Sequence, residues 1–176
     1  MSPLVASEPM LDLRPVRPGD APAAHQFLSD PEVARWLRPA GVTGPFTLAE
    51  CEAAIPAQVA HWGAHGFGVW LAWDGENCVG RCVLKHSIVE GRGEVEVGWA
   101  LARAYWGRGV GTSMGRHALS AAAERGVSNV VAFTRVDNLA SRRVMEKLGF
   151  VYEREFVHAG LPHVLFRTIR ERDSHA

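Results

Sequence analysis

Tyr105-Trp106-Gly107-Arg108-Gly109-Val110-Gly111-Thr112 sets three glycines at alternate positions immediately before a segment with helical periodicity. Glycine has no Cβ, so the backbone can take positive φ and approach a ligand closely, while unpaired N–H groups of the following helix point at it. With the helix dipole added, a phosphate is the natural guest. A plain turn between strand and helix has the same composition, so the neighbouring stretches must decide.

Downstream, Val110, Met114, Ala118 and Ala121 recur at helical spacing and Gly126 supplies a stop. Asn129 to Thr134 reads as a buried strand, and Asp137-Asn138 opens a helix from Leu139 to Leu148 that Gly149 ends. Phe150 to Val157 and His163 to Ile169 follow as strands around the loop Ala159 to Pro162. Upstream, Glu94 to Leu101 is a strand with Val95, Val97 and Trp99 on one face and Glu94, Glu96, Gly98 and Ala100 on the other. Its interior Gly98 predicts a bulge or a close ligand approach. Val69 to Trp73 and Cys78 to Lys85 flank Asp74-Gly75-Glu76-Asn77 as a hairpin.

Further toward the start, Asp20 is the expected cap of a first helix, and a second follows Asp30-Pro31. Arg38 to Phe46 is a loop. A third helix runs from its cap Thr47, with Glu50 as capping-box partner, through Ile55 toward Trp62, with Pro56 placed to kink it. Leu11 to Val16 is an edge strand.

At 176 residues the chain suits one domain whose core needs neither disulfide nor metal. The expected organisation is a flexible start over 1–10, a single domain over 11–170 and a polar tail over 171–176. Lys+Arg and Asp+Glu balance at 19 each, so no global field recruits nucleic acid or an anionic membrane. Cys51, Cys78 and Cys82 form no CxxC pair and are odd in number, which favours reduced thiols in a cytoplasmic protein. No apolar run approaches the roughly 20 residues of a membrane span, and the first residues lack a signal-peptide pattern, so a soluble, unexported protein is expected. His61 and His65 stand four apart without HExxH or a third ligand at metal spacing, so no metal is expected.

Two nucleotide loops fail on the glycines. A Walker A loop needs a lysine, and none lies between Lys85 and Lys147. A dinucleotide GxGxxG counted from Gly107 or Gly109 meets Thr112 or Met114 where its last glycine belongs. The order that remains is a strand containing Glu96 and Gly98, a short arm, the glycine loop and a helix, then a buried strand and an Asn138-initiated helix ending in Glu146-Lys147-Leu148-Gly149-Phe150.

In that order the sequence resembles the GNAT superfamily of N-acetyltransferases, whose pyrophosphate motif is (Gln/Arg)xxGx(Gly/Ala). Here the motif reads Trp106-Gly107-Arg108-Gly109-Val110-Gly111, and tryptophan at its first position is similar to the Rim-type branch that acetylates ribosomal-protein N-termini. Asp30-Pro31-Glu32-Val33, Gly66-Phe67-Gly68-Val69-Trp70 and Glu96-Val97-Gly98-Trp99 resemble the same branch. The resemblance implies an α/β fold with a mixed, largely antiparallel twisted sheet, a strand bulge and splayed central strands. It implies acetyl-CoA as co-substrate and an amine acceptor, either a peptide N-terminus or a small molecule. It also implies that the backbone of Trp99, Ala100 and Leu101 pairs with the pantetheine arm. Arg108, Gly109, Val110, Gly111 and Thr112 would then offer N–H groups to the pyrophosphate, and Asn138 and Ser141 would flank the pantetheine and thiol.

Acetyl transfer needs a neutral amine, a polarised thioester carbonyl and a stabilised leaving thiolate. The backbone at Gly98-Trp99 is the candidate oxyanion donor. Glu96 is the candidate base, directly or through a water, with Glu94 as alternative; the competing reading pairs both with Arg81 or Lys85 across the sheet. An α-amino group of pKa near 8 already supplies ~10–20% neutral amine at physiological pH, so a weakly placed glutamate suffices for an N-terminus. Many family members carry a tyrosine acid where Met145 stands, and Ser141 is the nearest replacement. Arg142 and Arg143 could reach the CoA 3′-phosphate or form a surface pair. Tyr105 and Trp106 pack beside the groove. The acceptor site is expected between Ala21 and Trp62 and near His86 to Gly93 and His158 to Pro162, with Glu32, Glu50 and Glu52 favouring a cationic acceptor. A catalytically silent acyl-CoA sensor and a homodimer joined by sheet edges both stay open.

Overall fold

The computed structural model describes residues 10–168; the expected flexible start before Met10, the strand residue Ile169 and the polar tail lie outside the described residues. The chain runs β1 (Asp12–Pro15), α1 (Ala21–Leu28), α2 (Pro31–Ala34), α3 (Leu48–His65), β2 (Val69–Asp74), β3 (Asn77–Val89) and β4 (Arg92–Leu101). A 3-10 turn (Arg103–Tyr105), α4 (Val110–Glu124), β5 (Val130–Arg135), α5 (Leu139–Lys147), β6 (Phe150–His158) and β7 (Leu161–Thr168) complete it. The strands form one seven-stranded sheet in the order β1-β2-β3-β4-β5-β7-β6. All neighbours are antiparallel except β4 and β5.

Local chemistry explains most helix ends. Thr47 and Glu50 exchange a capping box at the start of α3, and Gly66 closes that helix in the left-handed conformation at φ 70°. Pro56 sits inside an unbroken α3. Asp20 precedes α1 as expected but does not cap it: its carboxylate turns back and accepts from the Arg17 N–H at 2.7 Å. Asp30 does cap α2, accepting from the Glu32 N–H at 2.9 Å.

Helices cover both faces of the central strands, which is why β2 reads as a continuous apolar run rather than an alternating one. One core joins Cys82, Leu84 and Val97 to Met114, Ala118 and Met145, placing α4 and α5 on that face. The other joins Leu71, Cys78 and Ala100 to Phe27, Leu28, Cys51 and Ile55, placing α1 and α3 opposite. Burying a side chain such as Leu84 contributes roughly 1.5–3 kcal/mol. That outweighs the ~0.5–1 kcal/mol cost of an interior strand glycine such as Gly80 or Gly98.

The β3–β4 hairpin is longer than the sequence pattern indicates. The polar pair His86-Ser87 hides the end of β3, yet pairing continues from Gly80↔Leu101 to Val89↔Arg92. A two-residue turn, Glu90 (φ 48°) and Gly91 (φ 78°), closes it with the positive φ pair of a type I′ turn. Ala159 (φ 50°) and Gly160 (φ 77°) close β6–β7 in the same way, so the expected four-residue loop is a tight turn with Leu161 and Pro162 already in β7.

The expected bulge at Gly98 is absent from the β3–β4 ladder, whose register is continuous; the irregularities fall between Ala72 and Trp73 and between Tyr152 and Arg154. Gly98 instead lies where the sheet opens. β4 and β5 share the pairs Val95↔Val130 and Glu96↔Val131, after which β5 continues with β7 and, among the described residues, no strand flanks Val97 to Leu101 on that side.

Candidate functional site

The opening between β4 and β5 has a main-chain wall. Leu84 donates its N–H to Gly68 of the β2 side at 2.9 Å, so Val83 and Lys85 turn their main-chain groups toward β4. Antiparallel alternation then makes Val83↔Gly98 and Lys85↔Glu96 hydrogen-bonded pairs, and turns the N–H and C=O of Trp99 and Leu101 away from β3 into the opening. Of the expected oxyanion donors, Trp99 therefore presents its N–H and Gly98 does not. The same alternation commits Ala100 to β3, so its main chain is not available to an arm running along β4; the N–H groups of Trp99 and Leu101 are, while the Leu101 carbonyl already accepts from Trp106.

On the α4 side the glycine loop has the form of an anion cradle. Gly107 and Gly109 take φ 69° and 80°, Gly109 is the N-cap of α4 without a side-chain cap, and the first turn holds no acidic residue. The N–H groups of Val110, Gly111 and Thr112 lie in this uncapped turn, with the dipole of a 15-residue helix behind them. Trp99 borders the turn: a Cβ on Gly111 would meet its indole at 3.5 Å. Trp106 donates from Nε1 to the Leu101 carbonyl at 2.8 Å, which pins the arm back onto the end of β4. Arg108 is exposed, donating to the Ala104 carbonyl at 3.3 Å and lying over the Tyr105 ring.

Asn138 caps α5, accepting from the Ser141 N–H at 3.2 Å. The Ser141 hydroxyl has no hydrogen bond among the described residues, so the backbone does not occupy it. Met145 is buried in the α4–α5 core and has no proton to give. Arg142 spends one N–H on the Val136 carbonyl at 3.0 Å, while Arg143 is exposed.

The opposite face of β4 holds the titratable groups. Glu96, with its side chain 15% exposed, accepts from the Ser87 hydroxyl at 2.5 Å and stands 3.7 Å from Lys85 Nζ. Glu94 is bound by both ends of the Arg167 guanidinium at 2.8 and 2.9 Å, and this pairing holds its carboxyl below the usual glutamate range. The two glutamates thus separate, one locked structurally and one facing the open side of the sheet. Glu96 thus meets Lys85, as the competing cross-sheet reading has it, Glu94 meets Arg167 instead, and neither pairs with Arg81.

His158 lies within the field of Glu96; burial, then the nearby His163, lowers its pKa while Glu96 opposes the shift. Its ring packs tilted against Phe133 at 4.8 Å and edge-on to His163 at 5.2 Å between centroids. Ser87 and the His158–Phe133–His163 cluster were not legible as site residues, because strand register and a distant turn bring them beside Glu96. Across this face the Ala40 N–H donates to the Ala159 carbonyl at 2.9 Å, joining the loop before α3 to the β6–β7 turn.

Of the three early-helix glutamates expected to draw a cationic acceptor, Glu32 and Glu50 are already paired, and only the exposed Glu52 has no partner among the described residues. Glu50 binds Arg38 at 2.6 and 2.9 Å and caps α3, which brings its pKa down to about 2, and Glu32 pairs with Arg35. His61 offers no ligand either, since Nδ1 meets the Phe67 carbonyl and Nε2 the His86 N–H. The thiols of Cys78 and Cys82 are buried, which pushes them up to about 11 and about 12. Among the described residues no helix is long and apolar enough to cross a membrane.

Residues 10–151 match the family described as "Acetyltransferase (GNAT) domain". Uncharacterized protein YkkB of Bacillus subtilis is 32% identical over 94 residues, 51% of this chain and 54% of that protein. N-alpha-acetyltransferase 30 of Schizosaccharomyces pombe is 30% identical over 84 residues, 46% of this chain and 55% of that one. The chain thus spans about half the length of the curated relatives it matches. Among solved structures, a RimL ribosomal L7/L12 alpha-N-protein acetyltransferase in complex with coenzyme A superposes with a TM-score of 0.72 at 19% identity, covering 94% of this chain and 96% of that one. That likeness concerns the fold, and the family match over residues 10–151 carries the assignment: the chain belongs to the GNAT acetyltransferase family.

Proposed function

We propose that the protein is an acetyl-CoA-dependent N-acetyltransferase that moves the acetyl group to a primary amine, on a peptide N-terminus or a small molecule, by direct attack in a ternary complex. The observation that carries this reading is the opening beside β4, with an uncapped helix and outward main-chain groups on one side and, on the other, a glutamate that Ser87 and Lys85 hold in place. Glu96 accepts the proton of the attacking amine, directly or through a water, and Ser87 and Lys85 hold its carboxylate in place. The Trp99 N–H stabilises the oxygen of the tetrahedral intermediate as the C–N bond forms. When the C–S bond breaks, the Ser141 hydroxyl hydrogen-bonds the departing thiolate. The first turn of α4, from Val110 to Thr112, together with the Gly107–Gly109 loop, receives the pyrophosphate. The coenzyme A named in the complex of the RimL neighbour supports the same donor.

The test is calorimetric titration with acetyl-CoA, followed by thiol release across a panel of peptides and small amines. Binding with turnover that Glu96→Gln abolishes supports the reading; no acetyl-CoA binding overturns it. Met145, buried where many relatives carry a tyrosine, favours a second reading, an acyl-CoA sensor. Tight binding with no turnover across the panel is the outcome that selects it.

A further inference from the structure

Arg81 stands apart from every other arginine described. It is only partly exposed, and among the described residues it makes no hydrogen bond, ion pair or ring contact. The others without a partner, Arg17, Arg92, Arg116 and Arg143, are all exposed to water. The arginines nearer the acceptor face are already satisfied, Arg38 by Glu50, Arg35 by Glu32 and Arg135 by Asp137. Burial lowers the Arg81 pKa, and the groups that act on it in the opposite sense are Cys51 of α3 and Glu96 of β4. A guanidinium remains charged at neutral pH. No Arg81 nitrogen is both fully buried and unpartnered, so the head still meets water, and since no carboxylate among the described residues neutralises it, it is open to an anion from solution.

The strand register says where that anion would lie. Arg81 is on the face away from α4, since Cys82 and Leu84 occupy the α4 core. Along this face the pairs Arg81↔Ala100, Val83↔Gly98 and Lys85↔Glu96 follow in order. Gly98 leaves the stretch between clear: a Cβ there would meet nothing within 4 Å except Glu96 Oε1 at 4.0 Å. Glu96 does not fill the role, because no ion pair joins it to Arg81 and its carboxylate is held by Ser87 and Lys85. Ala100 and Glu96 stand four positions apart on the strand, ~13 Å between Cα atoms, which the two long side chains narrow from both ends.

We propose that Arg81 receives a carboxylate carried by the acceptor itself, so that the acceptor is an amine with an anionic group at its other end, the amine at Glu96 and the carboxylate at Arg81. The assignment rests on the transferase reading above and narrows its substrate class. A free amino acid and a peptide with an acidic residue near its N-terminus present the same chemistry.

The experiment measures kcat and KM by thiol release for linear ω-amino acids with one to five methylenes between amine and carboxylate, for their uncharged amides, and for peptides with acidic or neutral second residues. Carboxylate acceptors should show KM values at least roughly tenfold below their amides. Arg81→Met should erase that gap, and Arg81→Lys should retain part of it, which separates lost charge from lost fold. Preference confined to the amino acids assigns a small-molecule acceptor, and preference for acidic peptides assigns an N-terminus; either supports the role of Arg81. Equal KM values for acids and amides, or a preference that survives Arg81→Met, overturn it while turnover itself leaves the transferase reading standing. Acetyl-CoA binding without turnover of any amine overturns both.

Discussion

The two faces of β4 are built from different materials. The proposed donor side uses main chain: the Gly107–Gly109 loop, the uncapped turn of α4 and the outward N–H of Trp99. The proposed acceptor side uses side chains from separate strands, Arg81, Lys85, Ser87, Glu96 and His158. A main-chain site is contiguous and is specified by where glycine stands. A side-chain site exists only after the β3–β4 and β6–β7 turns have set their registers, so its composition can change without disturbing the donor face.

The most severe challenge to this division is Glu96→Gln. It should lower kcat by about 10²-fold or more while leaving acetyl-CoA affinity unchanged, as steady-state kinetics and calorimetry would show. A parallel loss of acetyl-CoA binding would break the comparison. Gly109→Ala tests the other face, because an L-residue at φ 80° costs roughly 1–2 kcal/mol. It should weaken acetyl-CoA binding about fivefold to thirtyfold with little effect on acceptor KM.

Glu94→Gln sharpens the contrast between neighbouring carboxylates. The Arg167 pair holds the folded pKa of Glu94 below its unfolded value, so its stabilisation is present above about pH 4.3 and disappears as pH falls through the folded pKa. The variant should lose about 1–3 kcal/mol at pH 7, with a urea midpoint that falls less steeply than wild type on acidification and kcat per folded molecule near wild type. Ser141→Ala should have the smallest effect, a roughly fivefold fall in kcat for one hydrogen bond, most visible with the poorest leaving thiols.

Much of the fold could be read from sequence because its signals are local. The Thr47–Glu50 capping box, the glycine loop before Val110 and the Asn138 cap each lie within a few residues of what they control. The full length of β3 was hidden because His86 and Ser87 interrupt its apolar pattern, although the Glu90-Gly91 turn carries the information. Glu96 was recognisable by its place two residues before Gly98. Its hold by Ser87, the capture of Glu94 by Arg167 and the unpartnered state of Arg81 depend on cross-strand neighbours, which one sequence does not display. Glu50 looked available for a ligand because its partner Arg38 lies 12 positions away.

The alternation along β4 also supplies a label-free reporter. Gly98 and Ala100 direct their amides into the β3 ladder, while Trp99 and Leu101 direct theirs into the opening. Four consecutive residues of one strand should therefore exchange their amide hydrogens with deuterium in an odd-even pattern, slow at 98 and 100 and fast at 99 and 101. A donor molecule lying along the strand would erase that pattern by protecting the fast pair, so the exchange spectrum alone would tell an empty cleft from a filled one.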